Sequence, residues 1–382
     1  MKKNDNITDV IIENITIIGE QAFYRCTKLK SVSISSSVES IGISVFDVCS
    51  ELESISFGEN SKLTTIEGGG FTQCGKLKSI SIPSSVKSIG ATAFAVCSEL
   101  ENISFGENSN LTTIGESAFA DCTKLKSISI PSLVESIGIN MFRNCKELKS
   151  VPIPSSVKSI GNFAFYGCSE LDNISFEEDS KLTIIGEHAF LNCGKLKSIS
   201  IPSSVESIGA NAFYGCSKLE NILFEEYSNL TTIGEVAFCI CTNIKYISFK
   251  NQINLKIIQS NEFGGCSNLE RITFCGCIKL NSISIPSTIQ YIDDYGFYNC
   301  STLKNIIIPS SIKSIGDYSF YGCSLLENIV IPSSIKSIGD YSFYGCSTLE
   351  KIVIPSLVES IGDFLFYGCS NLINISIKKN QI

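Results

Sequence analysis

The chain has 382 residues, of which 43% are hydrophobic and only 18% charged, with no Trp and a formal net charge of −8. That acidic balance speaks against nucleic acid or an anionic membrane as the main partner, since both select clustered Lys and Arg. No apolar run reaches the roughly 18 residues of a bilayer span, and Asp9, Glu13 and Asn14 interrupt the one early stretch that could serve as a secretory leader.

Read from the N-terminus, one pattern recurs. I-G-x-x-x-F-x-x-C, with small variations, appears fifteen times from Phe23 to Phe366; its step is 23 or 25 residues except between Phe263 and Phe297, where it is 34. Each unit opens with C-x-x-L-x-x-I-x-I. In "LKSISI" (77–82) apolar residues alternate, the period of a strand with one buried face. Pro follows the strand at 83, 131, 154, 202, 286, 309, 332 and 355, and with no N–H to donate it ends pairing at a fixed place. Units of 25 residues use a longer corner, as in "FGENSNLTTIG" (105–115). The segment after Gly, such as "DYSFYGC" (317–323), is predicted as a turn or two of helix, with Glu20, Glu116, Glu187 and Asp317 at the favourable end of its dipole. At the long step the extra segment "CGCIKLNSISI" (275–285) reads as a strand without a Phe turn.

One such unit cannot bury its Leu, Ile, Phe and Cys side chains alone, but stacked units can. The prediction is a single solenoid array over 1–382, about 15 repeats with a short irregular one near 275–285. It has one parallel strand per coil, sixteen strands spanning about 75–80 Å.

The pattern L-x-x-I-x-I-P-x-x-V-x-x-I-G-x-x-x-F-x-x-C, as in "LKSVPIPSSVKSIGNFAFYGC" (148–168), resembles the BspA-like leucine-rich repeat surface proteins, the 23-residue type also described from treponemes. The resemblance covers nearly the whole chain. It implies a curved right-handed leucine-rich repeat solenoid with its strands on the concave face and short helical turns on the convex side. It also implies surface proteins of mucosal bacteria and parasitic protozoa that bind host matrix or cell-surface proteins.

Fifteen of the eighteen Cys fall at the end of the Phe turn, from Cys26 to Cys369. Equivalent positions in adjacent coils lie about one strand spacing apart with parallel side chains, whereas a disulfide needs converging Cβ atoms. The ladder therefore reads as free thiols packed as small hydrophobes, which favours a reducing compartment. Cys239, Cys275 and Cys277 stand outside it; the last two lie near Cys266, but C-x-C is not structural-zinc spacing. His188, the only histidine, is expected on a solvated face of its turn. No nucleophile–base arrangement and no Gly-rich phosphate loop is present, so neither an enzyme nor a cofactor is expected.

Strand positions between the buried residues should point outward. Up to Ser200 they are nearly all small and polar; beyond it come Asn221, Leu223, Tyr246, Arg271, Asn305, Ile307, Asn328, Val330, Lys351 and Val353, the candidate partner-binding residues. The alternative is β-propensity with repeat drift. The residue after the buried Leu nearly alternates in sign (Lys30, Glu53, Lys78, Glu101, Lys126), which predicts ion pairs across coils. Near the C-terminus two columns stand out, Tyr298, Tyr321, Tyr344 and Tyr367, and Asp294, Asp317, Asp340 and Asp363. The tyrosines read as a stacked spine or a strip for carbohydrate or peptide, and the aspartates as helix-start residues or a weak cation collector. The expectation is a non-enzymatic module recognising a protein, on a microbial surface as the resemblance implies, or an intracellular scaffold as the thiols and missing leader suggest. Exposed terminal coils could also join two copies.

Overall fold

The computed structural model describes residues 6–249, 254–255, 257–258 and 260–377. They fall into two compact units, Met1–Leu196 and Lys197–Ile382, each a stack of parallel β-coils.

In the first unit, Ser31–Ile34 pairs in parallel with Asp9–Ile12 and Ser54–Phe57, in the register Val10↔Val32↔Ile55. Ser79–Ile82 pairs in the same way with Asn102–Phe105, and Ser150–Ile153 with Asn173–Phe176. Register is pinned because a slip by one residue would turn every buried Ile to solvent. The V-x-x-I-G segment makes a second ladder that the single-strand expectation omits. Ile17–Ile18, Ser40–Ile41, Thr65–Ile66, Ser88–Ile89 and Thr113–Ile114 form a continuous five-stranded sheet.

The third side carries the main correction: the helical turns are not formed. The N–H groups of Gln21, Phe23 and Arg25 donate to the carbonyls of Ile43, Val45 and Asp47 in the next coil, at 2.8–2.9 Å. Between them, Ala22, Tyr24 and Cys26 donate to Gly19, Gln21 and Phe23 as successive β-turns. Gln21 (φ 55°) and Arg25 (φ 59°) are left-handed, and the same two positions recur through the array, as at Thr92 and Val96. An α-helix tolerates neither left-handed residues nor N–H groups diverted to another coil. The only helix among the described residues is the 3₁₀ turn Ser260–Phe263.

Inside each unit the Leu, Ile, Phe and Cys columns are almost wholly buried. Successive Phe rings stack with centroids 5.2–5.7 Å apart from Phe46 to Phe142, so each apolar column is continuous through the coils.

In the second unit, Ser198–Ile201, Asn221–Phe224, Tyr246–Ser248 and Arg271–Thr273 pair in that order. The pattern then shifts. Phe274 follows its strand directly, and its ring stacks between Phe249 (5.0 Å) and Phe297 (5.4 Å). The extra coil thus has a Phe turn after all, supplied by Phe274 just before the segment 275–285, and Cys277 is a buried ladder residue rather than an outlier. Having skipped one short strand, the chain enters Ser282–Ser284, which pairs with the short strand Ile257–Ile258 on one side and Asn305–Ile307 on the other. Long strands beyond the break therefore continue the side that short strands occupied before it. Correspondingly, the short strand Tyr291–Ile292 lies beside Arg271–Thr273.

Candidate recognition surface

Alternation along each long strand decides which side chains are free. Ile222, Ile247 and Ile272 point into the core, so Asn221, Leu223, Tyr246 and Arg271 point out. The register Asn221↔Tyr246↔Arg271 sets three of them side by side, with Leu223 opposite Ser248. Leu223 is 61% exposed. The Tyr246 hydroxyl lies 3.3 Å from Thr273 Oγ1, and Arg271 Nε is 3.7 Å from Asp293 Oδ1. Burial pushes the Asp293 carboxyl up, against the pull of Arg271.

Asn305, Ile307, Asn328, Val330, Lys351 and Val353 are also exposed, Ile307 at 66% and Val330 at 78%. The sheet shift puts them on a different side from Tyr246 and Arg271. Their sheet runs Ile257–Ile258, Ser282–Ser284, Asn305–Ile307, with a bridge onward from Asn305 to Asn328. One continuous surface was expected; the structure forms two. Exposed Ile257 belongs with the second patch, which the sequence reading missed because its repeat position is that of a short strand.

The charged columns pair across coils where signs alternate: Lys76–Glu51, Lys124–Glu99, Lys126–Glu101 and Lys195–Glu170, at 2.6–2.7 Å. Of the column named above, only Lys126–Glu101 closes; the others lie one column over, just before the buried Leu. These exposed pairs are worth little each.

The aspartate column is structural. Asp294, Asp317 and Asp340 accept through Oδ1 from the backbone N–H of Asp317, Asp340 and Asp363 in the next coil, at 2.7–2.8 Å. Tyr298, Tyr321, Tyr344 and Tyr367 stack at 4.6–5.1 Å, and Tyr295, Tyr318, Tyr341 and Phe364 form a parallel stack beside them. Their faces are occupied by one another. His188 is not simply solvated: its ring stacks on Phe163 at 4.5 Å.

None of the eighteen cysteines is in a disulfide. Within each unit the ladder thiols donate to the Phe carbonyl of the preceding coil, as from Cys97 to Phe71 (3.1 Å), from Cys122 to Phe94 (3.1 Å) and from Cys323 to Phe297 (3.1 Å). Burial pushes Cys49, Cys97 and Cys266 up to about 12. These thiols are inert donors, and a disulfide would strip the carbonyls of a partner. Among the described residues, no group of three or more His, Cys, Asp or Glu could hold a metal ion, and no helix is long and apolar enough to cross a membrane.

The family model for the BspA type leucine-rich repeat region matches residues 2–110, 93–181, 179–276 and 270–382, and the chain belongs to that family. A crystallised leucine-rich repeat protein from Bacteroides ovatus is similar over 96% of this chain and 86% of its own, with 29% identity and a TM-score of 0.53. A Treponema pallidum leucine-rich repeat protein covers 50% of this chain and 78% of its own at 26% identity, TM-score 0.36. The pneumococcal vaccine antigen PcpA covers 89% and 85% at 20% identity, TM-score 0.46. No curated protein matches significantly. The repeat family suggests protein-binding surface proteins and indicates no catalytic family.

Proposed function

We propose that the chain is one array acting as a non-enzymatic protein-recognition module, displayed on a microbial surface for adhesion or as an antigen. The observation that carries this reading is the exposed cluster of Leu223, Tyr246 and Arg271 on paired strands, where most earlier coils present Ser or Asn. Tyr and Arg are the residue types that most often dominate binding energy, and Leu223 supplies apolar contact beside them. The patch of Ile307, Val330 and Val353 is a second contact surface. Exposed Ile375 and Ile377 on the last described strand favour pairing of two copies at that coil. A second reading, an intracellular scaffold of the same fold, is favoured by cysteines that stand as thiols rather than in disulfides.

The test measures surface plasmon resonance of the full chain against a panel of purified matrix and cell-surface proteins. One variant combines Leu223→Ser, Tyr246→Ser and Arg271→Ser; the other combines Ile307→Ser, Val330→Ser and Val353→Ser. At least one should lose roughly tenfold or more in affinity, about 1.4 kcal/mol. Equal binding by both variants and the parent would refute the reading.

A further inference from the structure

We propose that a cleft of about 380 Å³ on the long-strand side of the second unit, lined by Glu220, Asn221, Asn243, Lys245, Tyr246 and Asn268, binds a single pyranose unit, free or at the end of a glycan. This rests on the binding-module reading and names a ligand class for that face.

The cleft lies where the repeat departs from its own rule. The position before the buried Leu is charged in every earlier coil, from Lys28 and Glu51 through Lys195 and Lys218. At Asn243 and Asn268 it becomes an amide in two successive coils. The position opening the long strand is Ser or Asn in nearly every earlier coil, and at Tyr246 it becomes aromatic. These three departures meet in one cleft.

Its polar groups are not committed to the fold. Among the described residues, no hydrogen bond engages the side-chain amides of Asn221, Asn243 or Asn268, and neither Glu220 nor Lys245 has an ion-pair partner within 4.0 Å. Each amide offers a donor and an acceptor, matching a vicinal pair of hydroxyls. One carboxylate and one ammonium leave no excess charge, which disfavours a phosphate or a metal cation. The half-exposed Tyr246 ring offers an apolar face to the C–H side of a sugar. The cleft is at the small end of ligand-site volumes. It suits one ring, not an extended peptide, which needs side-chain pockets at alternate positions along several coils.

Saturation-transfer NMR of the full chain with glucose, galactose, mannose and N-acetylglucosamine tests this, alongside a glycoprotein before and after enzymatic deglycosylation. Transfer from at least one free sugar, or binding lost on deglycosylation, is the expected result; the two arms separate a free saccharide from a glycan terminus. The combined variant Asn243→Lys and Asn268→Glu restores the charged pattern of the earlier coils and should abolish the signal with its circular dichroism unchanged. Tyr246→Ala should weaken binding by roughly tenfold. No transfer from any sugar with no deglycosylation effect, a signal unchanged in the Asn243/Asn268 variant, or binding of a short unglycosylated peptide alone would each overturn it. If protein binding that depends on Leu223 and Arg271 persists in that variant while sugar binding is absent, the recognition reading stands and the saccharide site falls.

Discussion

Replacing Phe274 by Ala probes the sheet shift directly. Its ring is fully buried between Phe249 and Phe297, its N–H donates to Gly296 at 2.6 Å, and its carbonyl accepts from the Cys300 thiol at 3.0 Å. Truncating such a ring costs about 3–5 kcal/mol, because the transfer energy of the aromatic surface is lost and a cavity remains between two rigid neighbours. Were the segment a loose connector, the cost would stay within about 0.5 kcal/mol. Urea unfolding followed by tyrosine fluorescence separates the two. The chain has no Trp, and eight of its 13 tyrosines lie at or beyond Tyr291, so the signal reports the coils resting on Phe274. Phe320→Ala, stacked in the same fashion between Phe297 and Phe343, is the reference. A loss for Phe274→Ala within error of zero, beside a full loss for Phe320→Ala, would refute the claim that Phe274 carries the core across the shift.

Four further outcomes follow. Alkaline pH should unfold the chain: a buried thiol whose folded pKa is raised stabilises fully below its unfolded value, near 9, and that stability is lost as pH rises toward about 12. Each pH unit above 9 then removes on the order of 1.4 kcal/mol for each thiol so raised, so Cys97→Ala with Cys122→Ala should move the midpoint, read by circular dichroism, upward. Under native conditions an alkylating reagent should reach the half-buried Cys239 and Cys275, with Cys26 and Cys369, before any other thiol in peptide mass spectra. Val96→Gly should gain about 1 kcal/mol in urea unfolding, since a β-branched residue is held there at φ 60°. Gly322→Val should lose at least as much, because a β-branched residue would be held at φ 71° with its Cβ pressed on Asn299 Oδ1.

The repeat was legible because burial in a solenoid is periodic: Leu, Ile, Phe and Cys recur at fixed places, and each proves to be a buried column. The turn was misread because its Gly, acidic residue and Phe also suit a helix start. Left-handed backbone shows in sequence only where Gly or Asn fills it, as at Gly322 and Asn144, and Val48 or Ile240 conceals the same conformation. The sheet shift was hidden for a similar reason. Phe274 stands directly after its strand, where 25-residue units carry a corner Phe such as Phe224 or Phe249, so nothing local marks it as a turn residue. The outward direction of the candidate residues followed from alternation alone. Their division between two sides depends on which strand Ser282 pairs with, a long-range fact that no local pattern encodes.

Repetition itself limits where recognition can arise. Identical aromatic side chains in successive coils come within stacking distance, and Tyr295, Tyr318 and Tyr341 accordingly close their faces on one another at 4.8–5.1 Å. Such a column stabilises the array and offers a partner only ring edges and hydroxyls. Tyr246 is placed differently: its cross-strand neighbours are Asn221 and Arg271, and no ring among the described residues stacks on it. A ring face is left open because the neighbouring coils do not repeat it. In this fold a side chain becomes available to a partner by differing from its neighbours above and below, which is why the search for a ligand belongs at Asn243, Tyr246 and Arg271 and not along the more conspicuous tyrosine columns.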